Sequence, residues 1–198
     1  MTVARPYHHG NLREALLREG ERALEAGGAQ NLSLRELARE VGVSHAAPRR
    51  HFPDKQALLD AMAEAGFVRL GREMDAAIAG AGPACDERLA ALARAYVDFA
   101  RRHGALLELM FAAKHEADAP PELREAGERA FAAPLALITE GQATGDVVAG
   151  DPEQVAVVSF ATIHGLASLA NAGMFDEAAV DEIVGNCVER LVLGLRPR

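Results

Sequence analysis

Apolar and polar residues follow a helical period along most of this chain. Apolar side chains recur at intervals of three and four residues, as at Leu89, Leu92 and Tyr96, and no segment alternates strictly in the way of a half-buried strand. We therefore predict an all-α fold of about nine helices. The predicted helices cover residues 12–27, 34–41, 44–52, 54–78, 86–103, 105–114 and 122–141, a segment that opens at Asp151-Pro152, and residues 176–195.

Polar residues that precede these segments are suited to capping helices. A side-chain oxygen at the N-cap accepts a hydrogen bond from a backbone N–H that has no partner within the helix. The predicted caps are Asn11, Ser33, Ser44, Asp54 and Asp151.

Residues 34–52 have the spacing of a helix-turn-helix. Two helices that cross steeply need a small residue where they are closest, and Ala38 is placed for this. Gly42 lies in the short turn between the segments and tolerates positive φ. The second segment begins with small residues and ends with Arg49 and Arg50, which suits entry into the DNA major groove. The spacing alone also fits two short helices in an ordinary helical core.

Residues 33–62 resemble the DNA-binding domain of TetR-family transcriptional regulators. The resemblance lies in the order of Ser33, a helix, Gly-Val-Ser, a short helix, and His51-Phe-Pro-Asp-Lys-Gln-Ala-Leu-Leu59. Arg49 stands where the family most often has Tyr. The resemblance implies a regulator that binds double-stranded, near-palindromic operator DNA, most often a repressor. The candidate DNA-binding residues are Ser33, Ser44, His45, Ala46, Ala47, Arg49, Arg50, His51 and Lys55.

A second resemblance lies near the C-terminal end. Phe160-Ala-Thr-Ile-His-Gly165 is similar to the Trp-x-x-x-His-Gly signature of one TetR-family C-terminal group, with Phe160 in the place of Trp. Tyr7-His-His-Gly10 and Ser44-His-Ala-Ala-Pro48 also resemble that group. The family resemblance implies a DNA-binding domain over 1–54 and a larger helical domain over 55–198 that binds an effector and dimerises.

The charge of the chain divides in the same way. Residues 1–56 hold nine Lys and Arg against seven Asp and Glu, whereas the remaining residues hold twelve against twenty-two. A mildly basic segment joined to an acidic one indicates that the N-terminal end of the chain binds a partner that carries phosphates.

Two cysteines, Cys85 and Cys187, are too few for a disulfide framework or a four-thiolate zinc site. The N-terminal residues include no apolar stretch typical of export, so we expect a cytoplasmic protein.

Residues 155–175 contain no Asp, Glu, Lys or Arg. Their length would allow them to span a bilayer, but small and polar residues are frequent among them. We therefore expect a helix that pairs with the last helix across a two-fold axis, as a four-helix bundle in a homodimer that is not bound to a membrane. The expected interface residues are Ala161, Gly165, Ser168, Ala172, Ile183, Val184, Cys187, Val188 and Leu191.

Apolar residues of the middle helices are candidates for an effector pocket. Few aromatic side chains and two flexible methionines suit a cavity that repacks around a small neutral or weakly polar molecule, although the same residues suit an ordinary core. The candidates are Phe67, Leu70, Met74, Tyr96, Phe99, Leu107, Met110, Phe111, Phe131, Leu135, Phe160 and His164.

Other classes of protein are disfavoured. The chain has no Gly-rich phosphate loop, Gly-x-Ser-x-Gly elbow or His-Glu-x-x-His site, so we expect no catalytic residues, no cofactor and no enzyme activity. His115, Glu116 and Asp118 have an alternative interpretation as metal ligands, but no second histidine follows His115 at a spacing of four residues and the segment is polar. A solvated loop is therefore the favoured interpretation, and we expect no metal. A helical small-molecule carrier is the other class that remains, but it leaves Arg49, Arg50 and Lys55 unexplained.

Overall fold

The computed structural model describes residues 12–176 and 178–197, and these residues form helices and turns with no strand. The α-helices are α1 (Leu12–Gly27), α2 (Leu34–Val41), α3 (Lys55–Gly80), α4 (Cys85–Arg102), α5 (Gly104–Lys114), α6 (Pro121–Ala130), α7 (Ala132–Thr144), α8 (Pro152–Asn171) and α9 (Val180–Gly194). Two short 3₁₀ segments, Ala29–Asn31 and Pro48–Arg50, lie between them. The all-α prediction is therefore confirmed. The predicted cap Asn11 and the segment Tyr7–Gly10 lie outside the described residues.

The predicted α-helix over 44–52 is wrong. Ser44 to Ala47 form a turn, in which the N–H of Ala47 donates to the carbonyl of Ser44 over 2.9 Å, and Pro48–Arg50 form a 3₁₀ segment. The reason is Pro48, because a proline has no N–H to donate to the carbonyl four residues earlier and its ring crowds that carbonyl. The polypeptide therefore keeps its helical sense here but not the α-helical hydrogen bonds.

The predicted helix over 122–141 is two helices. It is interrupted at Phe131, whose backbone has φ −101° and ψ 4°. In a continuous helix, Pro134 would have to donate an N–H that it lacks to the carbonyl of Ala130. The interruption places Pro134 instead in the first turn of α7. Backbone N–H groups in the first turn have no intrahelical acceptor, so the N–H that proline lacks costs no hydrogen bond there.

Two of the predicted helix caps, Asp54 and Asp151, make the expected hydrogen bonds. A carboxylate oxygen of Asp54 accepts from the N–H of Ala57 over 2.8 Å at the start of α3. Asp151 accepts from the N–H of Glu153 over 2.9 Å at the start of α8. Ser33 occupies the N-cap position of α2, but its hydroxyl makes no capping hydrogen bond. The last helix was predicted from residue 176 and begins at Val180, after a turn around Asp176.

The chain divides into two compact units. The first contains the described residues up to Gly66 together with Ala105–Arg124, and the second contains Phe67–Gly104 together with the described residues from Glu125 onward. Each unit has its own buried apolar core. The fully buried large side chains of the first unit are Leu16, Phe52, Leu24, Leu58, Met62, Leu106 and Met110, and those of the second are Phe67, Leu70, Met74, Tyr96 and Phe99.

Two glycines bring helices of the first unit into close contact. A Cβ atom added at Gly20 on α1 would lie 2.9 Å from the Met62 sulfur on α3. A Cβ added at Gly66 on α3 would lie 2.6 Å from the Met110 sulfur on α5. In addition, the carboxylate of Glu25 accepts hydrogen bonds from the N–H groups of Ala105 and Leu106 at the start of α5. Helices α1, α3 and α5 are therefore held together by contacts that tolerate little displacement.

We predict that Gly66→Ala lowers the free energy of unfolding by about 1–3 kcal/mol, because the added Cβ forces the fully buried Met110 side chain to shift within the core. Gly80→Ala, on the same helix but with no atom within 4 Å of the added Cβ, should leave the free energy unchanged or raise it by up to about 1 kcal/mol. Urea unfolding of both variants measures the difference. Equal stability of the two variants would show that the contact at Gly66 is not a constraint.

Candidate functional site

The turn after α2 has the geometry that the sequence predicts. Gly42 has φ 76° and ψ 32°, in the left-handed region that glycine tolerates best. Its N–H donates to the carbonyl of Arg39 over 3.1 Å, and the N–H of Val43 donates to the carbonyl of Ala38 over 2.9 Å. These two bonds form a Schellman motif, which ends α2 and directs the backbone into residues 44–51.

Residues 44–51 form a surface with a high proportion of exposed positions. Ala47 is half-buried and Pro48 is buried. In the described part of the chain, neither Arg49 nor Arg50 has a carboxylate within ion-pair distance. The exposed residues of this surface are Ser44, His45, Ala46, Arg49, Arg50 and His51. The surface therefore presents two arginine side chains and two imidazoles to an external partner.

Lys55 and Ser33, the other two candidate DNA-binding residues, are half-buried. The Lys55 ammonium donates to the carbonyl of Gln30 over 2.9 Å and so joins the start of α3 to the 3₁₀ segment Ala29–Asn31. An ammonium has three donors, so this bond leaves Lys55 able to donate to a further acceptor. Lys55 thus has a structural contact that the sequence did not indicate.

Arg13 on α1 lies beside the same surface, a position that no pattern in the sequence indicated. Its guanidinium carbon lies 5.6 Å from the centre of the Phe52 ring, within the range of a cation–π contact. Phe52 directly follows the exposed segment 44–51 and is itself only 2% exposed. Contacts of this kind join residues far apart in the chain, so no local pattern indicates them.

In the second unit, part of the predicted pocket set forms an aromatic cluster. The Tyr96 hydroxyl on α4 lies 2.7 Å from Nδ1 of His164 on α8. The Phe160 ring meets Tyr96 and Phe131 edge to face, with ring centres 5.5 and 5.1 Å apart. Burial raises the pKa of Tyr96 far above its ordinary value, so its hydroxyl remains protonated at neutral pH and donates to Nδ1 when that nitrogen carries no proton.

The other predicted pocket residues are divided between the two units. Leu107, Met110 and Phe111 belong to the first unit. In the second unit, Leu135 is half-buried, whereas four residues are fully buried core side chains: Phe67, Leu70, Met74 and Phe99. The guanidinium of Arg69, which was not among the candidates, lies 5.6 Å from the centre of the Phe99 ring.

A separate open groove in the second unit lies between α4 and α9. Its volume is about 570 Å³. Its apolar surface includes Ala90 and Val192, and its charged side chains include Arg94 with Glu189 and Arg196 with Asp86, two ion pairs. None of the predicted pocket residues lines this groove.

Helix α8 has a broad exposed apolar face. Val157 and Val158 are 65% and 64% exposed, and Ala161, Ser168 and Ala172 are exposed on the same helix or directly after it. The helix is long and apolar enough to span a membrane, but a helix at a protein interface can have the same length and composition. Only 17% of its most apolar 18-residue stretch is buried within the chain.

On α9, Ile183, Cys187 and Leu191 are half-buried. Val184 and Val188 are buried within the single chain and so are not available to a partner. A Cβ added at Gly165 would meet no atom within 4 Å.

Among the described residues, neither the two cysteines nor the possible metal ligands form an assembled site. Burial, reinforced by the carboxylate of Asp146, raises the pKa of the Cys85 thiol, which keeps it protonated and poorly reactive at neutral pH. His115, Glu116 and Asp118 are exposed in the loop after α5. Within residues 12–176 and 178–197, no three His, Cys, Asp or Glu side chains are close enough together to hold a metal ion.

Comparisons with known proteins agree with this architecture. Residues 16–62 match the family model described as bacterial regulatory proteins, tetR family, and residues 89–195 match the tetracyclin repressor-like C-terminal domain. No curated protein matches the chain significantly. A protein of unknown function from Rhodococcus sp. RHA1 is 48% identical with a TM-score of 0.90, over 98% of this chain and 100% of that one.

Two further solved structures share the fold at lower identity. A TetR family transcription regulator from Marinobacter aquaeolei VT8 is 19% identical with a TM-score of 0.77, over 96% of this chain and 97% of that one. The TetR family transcriptional regulator PfmR from Thermus thermophilus is 16% identical with a TM-score of 0.72, over 92% and 99% of the two chains. With a family model matched over more than half of its length, the chain belongs to the TetR family of transcription regulators.

Proposed function

We propose that the protein is a cytoplasmic, homodimeric repressor, without enzyme activity, that a small-molecule effector releases from a near-palindromic operator. The observation that carries this proposal is the exposed surface 44–51 on a helix-turn-helix, with Arg49 and Arg50 free of carboxylate partners in the described chain. Exposed arginines that no acid neutralises are suited to DNA phosphates and base edges. A helical carrier that binds no DNA would leave this surface without a use.

We propose two functional domains: residues 1–54 bind DNA, and residues 55–198 bind the effector and dimerise. The small residues at the start of the exposed segment, with His45, approach the bases of the major groove. Arg49, in the position where the family most often has Tyr, and Arg50 contact phosphates or base edges at the end of the segment. Ser33, Ala47, His51 and Lys55 support this contact at its border.

Dimerisation is proposed through the exposed face of α8 and the half-buried residues of α9. Leaving an apolar stripe of this size in water is unfavourable, and pairing with a second copy covers it. A two-fold axis through this contact also gives the dimer the symmetry of a near-palindromic operator. The proposed interface uses Ala161, Gly165, Ser168, Ala172, Ile183, Cys187 and Leu191, with Val157 and Val158 added because they are exposed.

The effector is proposed to bind next to the aromatic cluster of Tyr96, Phe131, Phe160 and His164. The Tyr96–His164 hydrogen bond is a polar pair in apolar surroundings, an arrangement that orients a small ligand with one polar group. We also infer from Phe160-Ala-Thr-Ile-His-Gly165 that the C-terminal domain is close to the group with the Trp-x-x-x-His-Gly signature.

Single-site variants of the helix-turn-helix test DNA binding. Arg50→Ala and Lys55→Ala should each weaken binding to all duplexes and lower the slope of log affinity against log salt by about one unit, because each removes a phosphate contact. His45→Ala should instead change the preference among sequences. Fluorescence anisotropy with a duplex selected from a random pool measures both effects.

The control for these variants is Arg124→Ala, which removes an exposed arginine of the same unit outside the surface 44–51. It should leave affinity and salt slope as they are in the parent protein. Because Lys55 also bonds Gln30, its variant needs a melting temperature equal to that of the parent for the comparison to hold. An unchanged salt slope in both Arg50→Ala and Lys55→Ala would contradict the proposed docking.

Gly165→Leu should convert the dimer into a monomer. A Cβ added at Gly165 meets no atom of the single chain within 4 Å, so we expect the protomer to remain folded, whereas the leucine side chain would block close contact with a second α8. Analytical ultracentrifugation at micromolar concentration measures the change. Ala136→Leu, at an exposed position of α7, is the matched control and should remain dimeric. A parent protein that sediments as a monomer would refute the proposed dimer.

Tyr96→Phe should weaken effector binding without changing DNA affinity in the absence of effector. The variant keeps the ring but removes the hydroxyl bonded to His164. The test compounds are small neutral molecules that raise the melting temperature of the parent protein and lower its operator affinity, since both effects follow from one conformational equilibrium. Thr139→Val, which removes an exposed hydroxyl from α7, is the control. Equal effector affinity in Tyr96→Phe and the parent would place the effector elsewhere.

A further inference from the structure

We propose that Arg13 is an additional contact to the DNA backbone and that the ring of Phe52 holds it in position for this contact. The inference rests on the DNA-binding function proposed above. It adds to that function a residue of α1, which lies outside the helix-turn-helix.

The first support is the placement of the guanidinium. Arg13 lies over the ring of Phe52, and the backbone N–H of Phe52 donates to the carbonyl of Pro48 over 2.9 Å. The ring is therefore fixed to the turn that carries Arg49 and Arg50. A guanidinium held over a fixed ring loses less freedom when it binds than one with no such contact, and its N–H groups remain able to donate to a phosphate.

The second support is the charge around Arg13. The neighbouring acids of α1 have other partners: Glu14 lies 4.0 Å from Arg18, and Glu19 pairs with Arg22. In the described chain, no carboxylate lies within ion-pair distance of Arg13. A cation in the first turn of a helix is also opposed by the helix dipole. The exposed side chain therefore gains nothing from its own helix, whereas a phosphate would complement it.

The third support is continuity with the proposed DNA surface. Arg49 and Arg50 are exposed immediately before Phe52, and Arg13 is exposed beside it. Together they extend one positive surface from residues 44–51 onto α1. A contact of this kind positions the protein on the duplex and carries no sequence information.

The experiment compares Arg13→Gln, Arg13→Lys and Arg18→Gln with the parent protein. Glutamine keeps much of the length and packing but removes the charge, and Arg18 is an exposed arginine of the same helix. Affinity is measured by fluorescence anisotropy at about 50 and about 200 mM salt, for a duplex that the parent selects from a random pool and for an unrelated duplex of equal length. Melting temperatures confirm that each variant is folded.

Arg13→Gln should weaken binding to both duplexes by the same factor. Because one phosphate contact contributes about 0.9 to the salt slope, the ratio of parent to variant affinity should fall by about 3.5-fold between the two salt concentrations. Arg13→Lys should keep most of the parent's slope of log affinity against log salt, because it keeps the charge. Arg18→Gln should match the parent in both affinity and salt slope.

Three different results would overturn the inference. If Arg50→Ala lowers the salt slope but Arg13→Gln binds as the parent does, Arg13 is not a backbone contact although the protein binds DNA. If the parent binds no duplex at all, the proposed DNA-binding function fails and this inference fails with it. A loss confined to the selected duplex would also contradict it, since a phosphate contact acts on every sequence.

Discussion

The close contact of α3 with two other helices is the constraint on which the first unit depends. Gly20 and Gly66 have no side chains, and the space is taken by the Met62 and Met110 side chains, both fully buried. A helix locked in this way cannot rotate without displacing core atoms, because protein interiors are close-packed. Since α3 begins directly after the turn of residues 44–51, the same packing fixes where that turn is presented.

Local features of the fold were predictable from the sequence. The caps Asp54 and Asp151 and the left-handed Gly42 depend on residues within a few positions, and all three have the expected geometry. The two wrong helix predictions have one cause. Each predicted helix ran through a proline, Pro48 in one and Pro134 in the other, and in both places the missing N–H interrupts the α-helical hydrogen bonds.

Contacts between distant residues were not predictable. Glu25 caps a helix 80 residues away, and Tyr96 meets a histidine 68 residues further along the chain. Such pairs are set by tertiary packing, which no local pattern records. For the same reason the sequence does not show which of the predicted pocket residues lie together. Tyr96, Phe131, Phe160 and His164 form a cluster of ring contacts in the second unit, whereas Leu107, Met110 and Phe111 belong to the first.

The exposed valines of α8 have a consequence for how much active regulator a cell holds. If α8 pairs with a second copy as proposed above, a chain that has just been synthesised presents these apolar side chains to water until that pairing takes place. At low abundance, the amount of paired protein rises with the square of the number of chains, so a modest change in synthesis produces a larger change in occupancy of a two-fold DNA site. Chains that remain unpaired keep this apolar surface exposed, so they are more prone to aggregation and degradation than paired chains.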